Sequence, residues 1–165
     1  MSLGKSIATE LQYEAAKTRK LLERVPFDNP EWAPHEKSMH LGRLATHIAE
    51  LYVWIPRAIT ADEFDFVSTA GKKPHVAANT EELLSIHGDK VAKAVDLLEN
   101  VTDEELNKPW RLLRAGQLLW EKPKKDVIRD FSLNHLIHHR GQLSVYLRLN
   151  EVPVVGMYGP SADEK

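Results

Sequence analysis

The sequence contains no cysteine. Disulfide frameworks, thiolate nucleophiles and cysteine-containing zinc sites are therefore excluded, and His, Asp and Glu remain as the strong metal ligands. Long runs of Lys or Arg are absent too, and 22 basic against 24 acidic residues give a formal net charge of -2. That balance offers no footprint for a phosphate backbone, so no nucleic-acid partner is expected. No apolar stretch reaches membrane-spanning length, and the opening MSLGKSIATELQYEAAKTRK lacks an apolar segment followed by a small-residue cleavage site. The expectation is a soluble, cytoplasmic protein with no membrane partner. Internal repeats and low-complexity segments are missing as well. What remains is 165 residues, enough for a single domain over 1–165 whose core needs no covalent staple.

Helical spacing dominates what is present. Ile7, Leu11, Ala15, Leu22 and Val25 fall on one side of a first amphipathic segment. Pro26, Asn29, Pro30 and Pro34 break it, and Ser38 is placed to cap a second helix running to about Ile59. Thr60 to Asn79, with Gly71, Pro74 and several charges, reads as an exposed connection whose large apolar anchors are Phe64 and Phe66. Thr80 ahead of Glu81 and Glu82 has the character of an N-cap. Leu84, His87, Val91, Val95 and Leu98 then share one face of a third helix ending near Asn100. Thr102 and Glu105 have capping-box spacing, but Pro109 limits that to a short turn. Trp110 to Trp120, centred on Ala115-Gly116, reads as a small hairpin or a structured loop. After Pro123 a fourth helix is expected from about Lys125 to Asn150, followed by a polar tail. Together these segments predict an all-α fold: a four-helix bundle with long connections and a small hairpin before the last helix.

Three of the eight histidines fall within NHLIHHRGQ on the fourth helix. His135 and His139 stand about 40° apart on adjacent turns, close enough to touch one ion. The same wheel puts Ile128, Phe131, His138, Gln142, Tyr146 and Leu149 within about 60° of His135, so the pair is expected on the buried face. An imidazole buried without a partner costs roughly 1–3 kcal/mol, which hydrogen bonds, solvent or a shared metal would relieve. On the second helix His40, Leu44, His47, Leu51, Trp54 and Ala58 form one stripe. His47 lies in its middle and His40 near the helix start, so His47 is the better third ligand by position. Glu50 could accept from a ligand imidazole or make an exposed ion pair. Gln142 could orient His139 or bond to backbone. His138 is read as a core-edge residue hydrogen-bonded to a neighbouring helix in preference to a fourth inward group. Arg140, about 140° from His135, is expected to face solvent or a partner chain. His87, alone on its stripe, reads as a hydrogen-bonded core residue rather than a ligand. Trp54, Trp110 and Trp120 read first as anchors and second as pocket lining. Leu136 stands where a metalloprotease HExxH motif would have Glu, so that mechanism and its general base are absent. No catalytic residue is assigned.

Four stretches, taken together, carry a resemblance: Trp32-Ala-Pro ahead of the second helix, LGRLATHIAEL around His47, HLIHHRGQLSVYLR from His135 to Arg148, and the ending VPVVGMYGPSADE. In this combination, over nearly the whole chain, the sequence resembles the DinB/YfiT-like metal-dependent proteins, also called DinB-like four-helix bundles. The resemblance implies that His47, His135 and His139 bind a divalent metal ion, zinc or nickel, both suited to neutral imidazoles. It also implies a homodimer, no DNA chemistry, and, from characterised relatives, transfer of a low-molecular-weight thiol. Two functions stay open. One is a metal-dependent small-thiol S-transferase or hydrolase-like enzyme acting on a small-molecule thiol or electrophile, since three protein ligands leave an open position on the ion. The other is a non-catalytic metal-binding bundle serving as a ligand-binding or interaction module, with a fourth protein ligand such as His138 closing the ion off.

Overall fold

The computed structural model describes residues 2–69, 71 and 73–164. Helix α1 (Leu3–Leu22) starts at Ser2, whose side chain accepts from the Lys5 N–H, and it buries Ile7, Leu11, Ala15 and Leu22 as the helical period requires. Its apolar stripe packs along α4 (Thr80–Asn100). Asn79, one residue before Thr80, caps that helix by accepting from the Glu82 N–H at 2.9 Å. The two helices approach so closely that a Cβ on Gly4 would stand 2.3 Å from the Leu98 carbonyl oxygen, so only glycine fits there. Helix α2 (Leu41–Glu50) begins after His40, not Ser38, and has no side-chain cap. It packs on α4 and on α7 (His135–Leu149), then continues through a 3-10 turn, Leu51–Val53, into α3 (Trp54–Thr60). The last helix is continuous in the same way: α6 (Lys124–Ile128) runs through a π-helical segment, Arg129–Asn134, into α7. A short α5 (Asp103–Asn107) follows Thr102, which accepts from the Glu105 N–H at 3.1 Å. No helix among the described residues is long and apolar enough to cross a membrane.

The expected all-α four-helix bundle is corrected by a three-stranded mixed sheet, which together with a fifth, short helix makes the fold more than a pure bundle. Its strands, β1 (Glu63–Asp65), β2 (Pro109–Arg114) and β3 (Gln117–Pro123), lie in the order β1-β2-β3. β2 and β3 form the hairpin expected over Trp110 to Trp120. Ala115 and Gly116 turn it in the left-handed region, with φ of 52° and 74°, the conformation that two-residue hairpin turns need. The carboxylate of Asp65 accepts from both turn N–H groups, at 3.1 and 2.8 Å. β1 pairs parallel to β2 with Phe64 opposite Leu112. Three residues give no alternation to read, and the partner lies far along the chain, so this strand has no local signature.

Rings fasten the sheet to the helices. Trp54 of α3 meets Phe64 at 5.6 Å, Phe131 at 5.0 Å and Trp110 at 6.4 Å between centroids, and Trp120 meets Trp110 and Phe131 at 5.8 and 5.4 Å. Trp110 is fully buried, so the anchoring role expected of it is the one it has. Beside the cluster the buried Lys124 ammonium is held by Asp62 at 2.8 Å and Glu105 at 2.6 Å.

Arg140, expected at the surface, is instead only 2 % exposed. The error lies in the face chosen: His138, Gln142 and Leu149, placed with His135 on the buried side, are exposed, and the π-helical turn is why Ile128 and Phe131 were no guide to that side. A turn closed by i→i+5 bonds holds an extra residue, so positions before it cannot be projected onto α7 at a constant 100°. Within α7 the buried stripe is Leu136, Arg140, Leu143 and Leu147, whereas Gln142 and Leu149 are exposed. The guanidinium donates to the Glu14 carbonyl and the Thr18 hydroxyl, both at 3.1 Å, and to the Glu14 carboxylate and the Tyr158 hydroxyl, both at 2.5 Å. Tyr158 in turn donates to the Glu14 carboxylate at 2.8 Å. Replacing Arg140 by Met should destabilise the protein by about 3–5 kcal/mol, because Glu14 is left as an unpaired buried carboxylate. Adding Glu14→Gln should recover part of the loss. Urea denaturation measures both, and an unchanged midpoint for Arg140→Met would contradict the assignment.

Candidate metal centre

The structure brings His47, His135 and His139 together. His47 lies on α2, His135 opens α7 directly after the π-helical segment, and His139 follows one turn later. One ring nitrogen from each falls within 4.8 Å of the others. The ring of His47 stands 5.2 Å from that of His135 and 4.7 Å from that of His139, while the Nε2 atoms of His135 and His139 are 2.8 Å apart. Among the described residues no other His, Asp or Glu joins this group.

The remaining histidines have other places. His40 sits at the exposed start of α2, its Nδ1 2.6 Å from Glu31. His138 is exposed and meets the His139 ring edge-to-face at 4.9 Å; among the described residues it has no hydrogen bond to a neighbouring helix, and it does not point inward. His87 is buried, with Nε2 3.3 Å from the Tyr52 hydroxyl, as expected of a core histidine.

The far side of each ring decides which nitrogen is free. The Gln142 side-chain oxygen lies 2.6 Å from His139 Nδ1, so Gln142 accepts there and leaves Nε2 as a bare lone pair. His135 donates to the carbonyl of Phe131, in the π-helical segment. His47 differs: its Nδ1 has Arg43 Nη2 at 3.4 Å, and Arg43 Nη1 is committed to Glu50 at 3.0 Å. Glu50 thus serves an arginine and not a ligand imidazole. Burial pushes His47 from 6.5 down to about 4, aided by the neighbouring His139, Arg43 and His135. His135 and His139 are lowered as well, chiefly by burial, against the opposing hydrogen bonds to Phe131 and Gln142. Three rings held neutral near pH 7 are what metal ligation requires. Tetrahedral zinc–nitrogen bonds of about 2.0–2.1 Å place ligand nitrogens about 3.4 Å apart. That spacing lies between the 2.8 Å and 4.8 Å found here, so small ring rotations fit the donor set to a divalent ion.

A cavity of about 550 Å³ opens beside His47, lined also by Arg43, Glu50, Trp54, Arg57 and Lys90. The arginines escaped notice in the sequence, although Arg43, Glu50 and Arg57 recur every seven residues and so share one stripe beside that of His47. Trp54 is both an anchor and part of this lining.

A family model, the DinB family, matches residues 1–165. The chain belongs to the DinB family. It is 26% identical over 155 residues to the uncharacterized protein YrdA of Bacillus subtilis strain 168, covering 93% of this chain and 86% of YrdA. To the uncharacterized protein YjoA of the same organism it is 26% identical over 134 residues, covering 79% and 80%. Two crystal structures share the fold. The DinB-like protein YjoA of Bacillus subtilis aligns with a TM-score of 0.71 at 20% identity, over 94% of this chain and 99% of that one. A DinB-like protein of Bacillus cereus ATCC 10987 aligns with a TM-score of 0.69 at 20% identity, over 91% and 94%.

In this DinB-family chain the neutral histidines make stability depend on pH with a definite sign. His47 and His87 both bind a proton near pH 4 when folded, against 6.5 when unfolded. The unfolded chain therefore takes the proton more readily, and stability is complete above about pH 6.5 and lost as pH falls through 4. The lowered carboxylates, such as Glu105 and Asp163 at about 2, act in a more acidic range. The melting temperature of EDTA-treated protein should be flat above pH 6.5 and decline steadily toward pH 4; a constant value across that interval would mean that the rings are not buried neutral.

Proposed function

We propose that this DinB-family protein is a divalent-metal-dependent enzyme, a small-thiol S-transferase or a hydrolase-like relative. The observation that carries the proposal is a set of three neutral imidazoles with no fourth protein donor among the described residues, set beside a cavity of small-molecule size. His47, His135 and His139 would hold the ion, with zinc and nickel both suited to the set. When bound, the ion would supply a Lewis acid at which a thiol or a water loses its proton near neutral pH. The protein's own contribution is orientation. Gln142 fixes the tautomer of His139, and the Phe131 carbonyl orients His135. Trp54 and the half-buried Phe131 add apolar surface close by, which lowers the local dielectric and strengthens whatever charges the site contains. The competing function, a closed metal in a non-catalytic module, called for a fourth ligand. His138, the named candidate, faces solvent, which argues for the enzyme.

Protein purified without a nickel column should carry about one divalent ion per chain, as expected for a three-ligand centre. His47→Ala and His139→Ala should lose both the ion and thiol transfer, and Gln142→Ala should weaken metal affinity by about 10–100-fold. Elemental analysis and a thiol-transfer assay on the same samples test this. Transfer activity that survives in metal-free His47→Ala protein would sink the enzyme reading.

A further inference from the structure

The cavity beside His47 has an imbalance of charge. Arg43, Arg57 and Lys90 bring three cations to its wall from α2, α3 and α4, and Glu50 brings the carboxylate, already taken by Arg43 at 3.0 Å. Arg57 and Lys90 are left over. Among the described residues neither has a carboxylate within ion-pair distance, and no N–H of Arg57 has an acceptor. Arg57 is nonetheless held in place: its guanidinium lies 4.9 Å from the centre of the Trp54 ring and 4.7 Å from that of Phe64. Stacking of this kind orients the planar fork while leaving its donors unspent. Burial lowers the pKa of Arg57, with the charge of Glu50 opposing, as for a cation partly withdrawn from water. Trp54 and Phe66 add apolar faces to the same wall.

We infer that this cavity takes a small organic anion, its carboxylate or phosphate group paired with Arg57 and Lys90 and its apolar body lying on Trp54 and Phe66, next to the three-histidine centre. An anionic group would satisfy the two unpaired cations at once, and a charge-assisted bond to Arg is stronger than a neutral one. A neutral ligand would leave both cations as they are. The inference rests on the proposed metal enzyme for the chemistry done on that anion, but not for its binding.

The probes are benzoate and phenyl phosphate, with benzamide as the neutral counterpart, titrated calorimetrically into the full chain in zinc-loaded and EDTA-treated forms. At least one anion should bind about tenfold or more tightly than benzamide in both forms, and higher salt should weaken it. The ranking of benzoate against phenyl phosphate tells which anionic group the pair prefers. Arg57→Gln and Lys90→Gln should each weaken anion binding by about tenfold and leave benzamide unchanged, while Arg57→Lys retains part of the affinity. Circular dichroism shows that the variants are folded. The inference is overturned by equal affinity for benzamide, by indifference to both Gln substitutions, by no saturable anion binding, or by anion binding only with zinc, which would place the anion on the ion itself. His47→Ala separates the two claims: anion binding that persists there while the ion and transfer activity are lost upholds both, transfer activity that survives without metal refutes the enzyme and spares the cavity, and Gln variants that keep full anion affinity refute the cavity alone.

Discussion

A guanidinium buried among packed helices needs partners for its donors, and both terminal nitrogens of Arg140 find them on α1 and the C-terminal tail together. That requirement sets the rotation of α7 about its axis. Leucines at 136, 143 and 147 would tolerate some rolling, because apolar packing has no direction; a fork bonded to Glu14, Thr18 and Tyr158 does not. His139 precedes Arg140 and points about 100° away from it, which places its ring at the edge of the core, opposite His47. The same bonds hold the tail, where Lys17 also donates to the Met157 carbonyl and Arg148 pairs with Asp163 at 2.5 Å. The stretches HRGQ of α7 and YGPS of the tail thus meet on Glu14 of α1, at the other end of the chain. A third joins them through Trp32, whose ring meets Tyr146 of α7 edge-on at 5.4 Å. The residues that make the sequence look like its family are those that brace α7.

Periodicity made the helices legible. Ile7, Leu11 and Ala15 in α1 and Leu98 in α4 are buried where the wheel puts them, and the Ala115-Gly116 turn marked the hairpin. The pairing of His135 with His139 was legible for the same reason, since spacings within one helix survive whatever lies outside it, and His47 was legible from its place in the middle of its own stripe. What escaped depends on contacts between distant segments. β1 exists because β2 is there to pair with, and nothing in Glu63-Phe64-Asp65 announces it. The helix starts moved by one or two residues, from Ser38 to His40 and from Thr80 to Asn79, because several polar residues compete for each cap. Arg140 was misread because the side of α7 that carries His135 was taken as the buried one, a choice that leaned on Ile128 and Phe131 across the π-helical turn and on Gln142 and Leu149, which are exposed.

The electrostatics of the centre and of the cavity differ in kind, although Arg43 belongs to both. Around the histidines charge is suppressed: rings are kept neutral by burial and by one another. A few ångströms further along α2 and α3, charge is kept and left in excess. Arg43 marks the boundary, with one nitrogen 3.4 Å from His47 and the other on Glu50. Its position also sets His47 apart from the other two rings. His135 and His139 each have an acceptor behind them, whereas His47 has a donor, so the centre is firmly braced on α7 and lightly braced on α2.

The π-helical turn between α6 and α7 carries a consequence for how such chains diverge. A turn with one residue more than an α-turn is, in effect, a single insertion retained inside a helix. Deleting one residue from 129 to 134 would restore regular winding and keep the faces of α7, whereas winding all of those residues as α-helix would swing all that follows by about 100°. Leu136, Arg140 and Leu143 would leave the core together, and His135 and His139 would turn away from His47, though no side chain of α7 had changed. For this helix the inherited unit is therefore a length together with its winding: a chain one residue shorter in that turn keeps the centre with a regular helix, and a chain of this length keeps it only with the π turn.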